Sequence, residues 1–203
     1  MPETMMNGLP EWASDPQTLT LTEDRYDILP DQVRKLIEVI DGNVIFRQSG
    51  APEHGDVCRR LANALEAAKP EEPCQRVSTD IDMYFVKRRR LDGKLSFRRP
   101  DVLVYGCIER GGKVATTDAK LVVEVVSPGS GYTDTVDKLA EYAHEGIPIY
   151  LVVYLDDEFY VRSIREYRLD WPSRTYRLAE THEGVLELER PFPASVPFQA
   201  LDG

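Results

Sequence analysis

Two continuous apolar runs, Leu121–Val126 and Ile149–Tyr154, constrain the fold of this chain more than any other segment. Apart from one acid in the first run, neither alternates between apolar and polar residues, which is typical of strands covered on both faces of a sheet. Ser127-Pro128-Gly129 closes the first run, and helical sequence follows from about Thr133 to His144. A strand, a helix and a strand at this spacing form a crossover unit, so we expect the two runs to be parallel neighbours.

The segments around this unit predict a helix, hairpins and further strands. A short helix should end before Pro30, Asp41-Gly42 indicates a hairpin turn, and a helix should run from Pro52 to Ala68. Further strand-like runs lie at residues 77–86, 95–105, 160–169, 175–180 and 185–188. The predicted fold class is α/β, with a mixed central β-sheet flanked by helices and an antiparallel C-terminal β extension.

The length of the chain predicts its domain organisation, and its net charge narrows the classes of protein to which it can belong. With 203 residues, we expect a loose N-terminal arm over residues 1–17 and a single domain over residues 18–203. The formal net charge is −10, from 25 basic and 35 acidic residues. Such acidity argues against a general nucleic-acid coat protein, although it allows a locally basic cleft.

Apolar runs and cysteines predict the location of the protein. No apolar run approaches the length of a membrane span, and the N-terminus has no basic region or apolar core typical of a secretory signal. Cys58, Cys74 and Cys107 are few and scattered, so we expect free thiols and a cytoplasmic location.

Glu124 and Asp101 are acids in places where apolar sequence predicts buried strands. Glu124 lies in the middle of LVVEVV, where an isolated ionised carboxylate is costly unless it is neutral, paired or bound to a metal. A partner arginine, or a position at the sheet rim, would explain it without any function. Asp101 begins the apolar run after Pro100. Two strands that each carry one acid can hold a hard divalent cation such as Mg²⁺.

Five segments of the chain together resemble a known family. They are IEVIDGNVI, APEHGDV, RRPDVLV, LVVEVVSPGS and TDTVDKLAEYAHEGIPIYLVV. Combined, they are similar to the Uma-type family of restriction endonucleases, within the PD-(D/E)xK nuclease superfamily. The similarity extends over nearly the whole chain from about Thr20. It implies a restriction endonuclease-like core and a magnesium- or manganese-dependent hydrolase that cuts DNA.

The resemblance also implies roles for particular residues. Asp101 and Glu124 would hold the metal, with Glu38 as a further acid near it. The superfamily lysine, two residues after the glutamate, is Val126 here; the Uma-type lysine on the next helix is matched by Lys138. His54 and Tyr142 are implied as accessory residues close to the cleft.

The residue pattern by itself leaves alternatives for these positions. Lys138 and Asp134 could form a pair on a solvated helix face, if the packed face consists of Val136, Leu139, Ala140 and Ala143. His54 lies one turn before Cys58, on an apolar stripe continued by Leu61, Leu65 and Ala68, and could be a semi-buried residue without catalytic work. Glu38 could be an ordinary acid at the rim of its strand.

A dense basic segment precedes Asp101. Seven positive charges fall within thirteen residues: Lys87, Arg88, Arg89, Arg90, Lys94, Arg98 and Arg99. The segment either binds phosphates beside the metal site or forms a solvated turn.

The leading hypothesis is metal-dependent phosphodiester hydrolysis of DNA by Asp101, Glu124 and Lys138. Its alternative is a catalytically inactive binding or scaffold protein on a nuclease fold, which the displaced lysine and the net charge favour. An RNA or nucleotide substrate also stays open. An acidic monomer with one basic hairpin could complete a DNA cleft as a homodimer.

Overall fold

The computed structural model describes most of the chain after its first 19 residues. The described residues are 5–6, 9–10, 20–47, 50–87, 94–128 and 132–202. They fall into two compact units, the first formed by Met1–Gln48 with Lys87–Arg98 and the second by Ser49–Val86 with Arg99–Gly203. The single domain over residues 18–203 stays a prediction.

The described residues form helices and strands along the chain. In chain order the elements are β1 (Met5–Met6), β2 (Leu9–Pro10), α1 (Glu23–Asp27), α2 (Asp31–Arg34), β3 (Ile37–Ile40), β4 (Asn43–Phe46), α3 (Pro52–Ala68), β5 (Gln75–Ser78), β6 (Met83–Tyr84), β7 (Phe97–Arg98), β8 (Val102–Gly106), β9 (Val114–Ala115), β10 (Ala119–Val126), α4 (Tyr132–Glu145), β11 (Ile149–Leu155), β12 (Val161–Asp170), β13 (Thr175–His182), β14 (Val185–Leu188), β15 (Ala194–Pro197) and α5 (Gln199–Asp202).

The first unit contains the predicted hairpin. β3 pairs antiparallel with β4, and Asp41 and Gly42 connect them with φ values of 52° and 77°. Positive φ at both central residues is what a tight two-residue hairpin turn requires, and the Asp-Gly pair supplies it at low cost. In the segment predicted as a loose arm, β1 and β2 pair antiparallel; the other residues of that segment lie outside the described chain.

The second unit is built on a six-stranded mixed sheet in the order β13-β12-β11-β10-β8-β5. β10 and β11 are parallel, from Leu121 opposite Ile149 to Val126 opposite Tyr154, which confirms the predicted crossover through α4. The other neighbouring strands of this sheet are antiparallel. The C-terminal extension is also confirmed, because β14 pairs antiparallel with β15.

One face of this sheet packs against α3. The helix buries Val57, Cys58, Leu61 and Leu65 in the same cluster as Val102, Leu121, Val123 and Ile149. Ala68, which the sequence places on this stripe, is exposed, and Val57 is buried instead.

Two predicted strands are interrupted. Residues 77–86 form the end of β5 and, after a turn, β6; residues 95–105 form β7 and β8, separated by Arg99-Pro100-Asp101. Proline has no amide hydrogen for a strand ladder, so the break falls at Pro100. The break leaves Asp101 at the entrance of β8.

The cysteines correct the expectation of three free thiols. Cys74 and Cys107 form a disulfide with their Cα atoms 5.5 Å apart, and Cys58 is free and buried. The β5–β8 register, with Gln75 opposite Gly106, places the two bonded cysteines opposite each other one residue further along. The disulfide removes the thiol argument for a cytoplasmic location, which stays a prediction. Among the described residues no helix has the length and apolarity needed to cross a membrane.

Candidate active site

The two acids singled out in the sequence lie on neighbouring strands. β8 pairs antiparallel with β10, with Val122 opposite Leu103 and Val123 opposite Val102. One further step of this register places Glu124 level with Asp101. Neighbouring residues across an antiparallel pair have Cα atoms about 4.5–5.5 Å apart, and Asp101 directly precedes β8. The strand pairing therefore brings both carboxylates to one end of the β8–β10 pair.

Glu124 is buried and has a hydrogen-bond donor on each carboxylate oxygen. The residue is 6% exposed. The Lys138 ammonium donates to Oε2 over 2.8 Å, and the Tyr142 hydroxyl donates to Oε1 over 2.7 Å. Lys138 and Tyr142 are four residues apart on α4, so both side chains lie on one face of the helix. The buried acid is therefore partnered by a lysine and a tyrosine of the following helix.

The packed face of α4 differs from the predicted one. Ala143 is buried as expected, but Val136 and Ala140 are exposed. The buried residues instead include Glu141, Tyr142 and Glu145. The side chain of Asp134 lies outside the described part of the structure.

Specific polar partners explain why α4 turns acids inward. Glu145 Oε2 accepts hydrogen bonds from the Thr116 hydroxyl at 2.7 Å and from the Val86 amide at 3.0 Å. Hydrogen bonds of this kind offset the cost of burying a carboxylate. Lys138 follows the same face, and its side chain is only 12% exposed. The alternative of Lys138 on a solvated face therefore does not hold.

Asp101 is held from two sides. Its Oδ2 accepts a hydrogen bond from the Val125 amide at 2.7 Å, and its Oδ1 lies 3.2 Å from His54 Nε2. The other ring nitrogen of His54, Nδ1, lies 3.4 Å from the Ser127 hydroxyl. The amide that follows Glu124 and a histidine in the first turn of α3 thus hold one aspartate.

The pKa of Asp101 is held below its ordinary value. Burial is the largest single influence and opposes ionisation, and the hydrogen bond and charge of His54 act against it. The Val125 amide and the charge of Lys138 lower the pKa further. Asp101 is therefore an ionised carboxylate at neutral pH, with Lys138 close enough to act on both acids of the site.

Cys58 is the residue of this site that the sequence reasoning left in the core. It lies one helical turn after His54 on α3 and is 7% exposed. Burial raises the pKa of its thiol, and the charges of Asp101 and Glu124 raise it further. The donor atoms of His54, Cys58 and Asp101 all lie within 4.8 Å of one another. The signal that could have revealed this is the His-x-x-x-Cys spacing on a helix.

Two arginines of the predicted phosphate-binding segment are instead buried in ion pairs. Arg98 donates to Glu38 Oε2 over 2.9 Å within the first unit, and the two side chains are 3% and 5% exposed. Arg99, in the second unit, donates to Asp82 Oδ1 over 2.7 Å and is 7% exposed. These contacts correct the assignment of Arg98 and Arg99 to an exposed phosphate-binding patch.

The phosphate-binding role of the other residues of the basic segment stays a prediction. Lys87 is half-buried and Lys94 is exposed. Arg88, Arg89 and Arg90 lie outside the described residues. The role of Glu38 as a further acid near the metal stays a prediction.

Comparison with known proteins identifies the family and the fold of this chain. Residues 23–199 match the family model described as "Uma2: Putative restriction endonuclease". The chain belongs to the Uma2 family. It is also similar to a crystal structure described as a "putative nuclease belonging to DUF820 from Anabaena variabilis ATCC 29413", with a TM-score of 0.61 and 16% sequence identity. The similarity covers 89% of this chain and 97% of that one. No curated protein matches the sequence.

These comparisons confirm two predictions about this Uma2 chain. The family resemblance read from the five segments is correct. The structural similarity confirms the predicted α/β nuclease-like fold, with mixed sheets flanked by helices and an antiparallel C-terminal hairpin.

The ion pair between Lys138 and Glu124 predicts a large effect on stability. Lys138→Met would leave a buried glutamate with Tyr142 as its remaining donor from α4, so we expect the free energy of unfolding to fall by about 3–5 kcal/mol. Urea denaturation without divalent cations measures it. The control is Lys120→Met, an exposed lysine of β10, for which a change within about 0.5 kcal/mol is expected. Adding Glu124→Gln should recover part of the loss. If Lys138→Met has the same free energy of unfolding as the wild type, the result would contradict a stabilising ion pair between Lys138 and Glu124.

Proposed function

We propose that this protein is a metal-dependent endonuclease that hydrolyses phosphodiester bonds of DNA. The observation that carries the proposal is the buried Glu124, level with Asp101 and in contact with Lys138. Two acids and a lysine at the end of a strand pair are the groups that phosphodiester hydrolysis needs. Membership of the Uma2 family supports nuclease function in general, and the similar Anabaena protein is described as a "putative nuclease".

The donor atoms fit a hard divalent cation. Asp101 and Glu124 offer carboxylate oxygens, and the Val125 carbonyl is a further candidate ligand at the same strand end. Mg²⁺ and Mn²⁺ prefer such oxygen ligands, so either is the proposed cofactor. Asp101 is already ionised, as its lowered pKa requires. When bound, the cation would supply Lewis-acid stabilisation of the phosphate and a lower pKa for the attacking water.

Lys138 is proposed as the cation that the protein itself contributes to the reaction. Its Nζ lies 2.8 Å from Glu124, so a phosphate held at the acids would come within reach of the ammonium. There Lys138 would donate hydrogen bonds to the phosphoryl oxygens as their negative charge grows, or hold the attacking water. Tyr142 would position Glu124 through its hydroxyl, and His54 would position Asp101.

The rival function is a nuclease-fold protein that binds or scaffolds without chemistry. Val126, in the place of the superfamily lysine, is the observation that favours it. The position of Lys138 weakens this argument, because α4 brings an ammonium to the glutamate that the missing lysine would have followed. The net charge of −10 is also compatible with binding of DNA by one local basic segment. A homodimer that pairs two such segments stays a prediction.

Cleavage of supercoiled plasmid DNA tests the assignment of the acids. Glu124→Gln and Asp101→Asn should each lower the rate in Mg²⁺ or Mn²⁺ at least about 100-fold, which corresponds to about 2.7 kcal/mol of barrier. Glu187→Gln, an exposed glutamate of β14, is the matched control and should cut like the wild type. Cleavage that persists in EDTA, or in Glu124→Gln, would contradict the proposal. A protein that binds Mn²⁺ but cuts neither DNA nor RNA would support the scaffold.

The basic segment predicts the salt dependence of DNA binding. Each phosphate contact adds about 0.9 to the slope of log K against log salt. Reversal of Arg88, Arg89 and Arg90 to glutamate should therefore weaken binding to mixed-sequence duplex and flatten this slope. Binding is measured by fluorescence anisotropy over a salt series.

A charge-matched control separates the segment from the net charge of the protein. Reversal of Arg59, Arg162 and Arg177, which are exposed and lie on three different elements, changes the charge by the same amount. We expect it to leave the slope close to that of the wild type. Equal slopes for the wild type and the Arg88–Arg90 reversal would show that the segment is only a solvated turn.

A further inference from the structure

Two side chains near the N-terminal end of α3 can act as metal ligands. The proposed reaction does not require both of them. His54 and Cys58 are four residues apart on this helix, so their side chains lie on the same face. A nitrogen of His54, the Cys58 sulfur and an oxygen of Asp101 lie within 4.8 Å of one another. Cys58 is free and buried, and the other two cysteines are bonded to each other. One nitrogen, one sulfur and one oxygen therefore converge at the same small volume.

We propose that His54, Cys58 and Asp101 form a binding site for a thiophilic divalent cation of the Zn²⁺ type. Hard cations such as Mg²⁺ prefer oxygen ligands, whereas Zn²⁺, Cd²⁺ and Co²⁺ accept nitrogen and thiolate sulfur. Three protein ligands with a fourth open position is the arrangement of catalytic zinc sites. The cation of this site is therefore chemically different from the one proposed for Asp101 and Glu124.

The distances allow the site to close with small movements. Ligands at about 2.0–2.3 Å from a tetrahedral zinc ion lie about 3.3–3.8 Å from one another. The donors of this site are at most 4.8 Å apart, so rotations of the His54 and Cys58 side chains cover the difference. No strand has to shift, because the Val125 amide already holds Asp101 Oδ2.

Neighbouring groups orient the ligands for a cation. The Ser127 hydroxyl lies 3.4 Å from His54 Nδ1 and can accept its hydrogen, while Nε2, the nitrogen beside Asp101 Oδ1, would release its proton to solvent and bind the metal. Hydrogen bonds of this kind fix the tautomer and direction of metal-binding histidines. Binding breaks the S–H bond of Cys58 and forms a sulfur–metal bond, with the proton released to solvent and no change of oxidation state.

The two proposed cations share Asp101, and this predicts inhibition. Zn²⁺ bound to His54, Cys58 and Asp101 would take from the hard-cation site one of its two acids. Submillimolar zinc should then suppress magnesium-dependent cleavage. This consequence, unlike the site itself, rests on the proposed nuclease function.

Cobalt spectroscopy on the full chain, without reductant, tests the site independently of activity. Co²⁺ bound to a thiolate gives a near-ultraviolet charge-transfer band, and tetrahedral coordination gives intense visible bands. We expect a saturable 1:1 titration with both signals, and competition by Zn²⁺. Cys58→Ser should lose the charge-transfer band and bind at least about 10-fold more weakly. Absence of the band in the wild type, or its survival in Cys58→Ser, would overturn the proposal.

Two further variants keep the result interpretable. His182→Ala removes the histidine of the other His–Glu cluster, formed with Glu166 and Glu180, and should leave the cobalt spectrum unchanged. If Cys58→Ser does not fold, His54→Gln should keep the sulfur band but weaken it at a given cobalt concentration, and an unchanged titration would again overturn the site. If the protein shows the cobalt spectrum but no cleavage, the zinc-type site is supported and the nuclease proposal fails. If the protein cleaves DNA but lacks the cobalt spectrum, the nuclease proposal is supported and the zinc-type site is overturned.

Discussion

The burial of one negative charge within the sheet organises the second unit of this protein. Glu124 lies in an otherwise apolar strand, and such a carboxylate is tolerated only with partners of good geometry. Lys138 and Tyr142 provide them, one turn apart on the helix that follows the strand. Lys138 and Tyr142 on the inner face of α4 thus match Glu124, while Glu145 on the same face is satisfied by Thr116 and Val86. The same contacts place an ammonium beside the glutamate of the proposed site.

Chain topology supplies the other half of the site. The break at Pro100 separates β7 from β8 and leaves Asp101 directly before β8. One step beyond the paired residues of β8 and β10, Asp101 is level with Glu124. The first turn of α3 approaches Asp101 with His54, while Cys58 follows one turn later. Hard oxygen donors and softer nitrogen and sulfur donors consequently meet at one aspartate. This overlap is the physical basis for the proposal that two cations of different chemistry compete.

Local patterns predicted the parts of the structure that depend on near neighbours in sequence. The Asp41-Gly42 turn and the parallel pair around α4 follow from turn chemistry and from apolar runs of strand length. Burial cost alone pointed to Glu124. Which face of α4 packs inward could not be predicted from the sequence. It depends on Thr116 and Val86, which are distant in sequence and donate hydrogen bonds to Glu145. The disulfide and the buried Arg98 and Arg99 likewise depend on strand register and on acids far along the chain.

Manganese binding to the protein without nucleic acid tests the central claim that Asp101 and Glu124 form one cation site. Electron paramagnetic resonance counts free Mn²⁺ directly, so it gives stoichiometry and affinity for each variant. The account predicts a high-affinity site in the wild type and in Glu187→Gln that is weakened at least about 10-fold in both Asp101→Asn and Glu124→Gln. Equal affinity in all four proteins, with folding verified by circular dichroism, would contradict it.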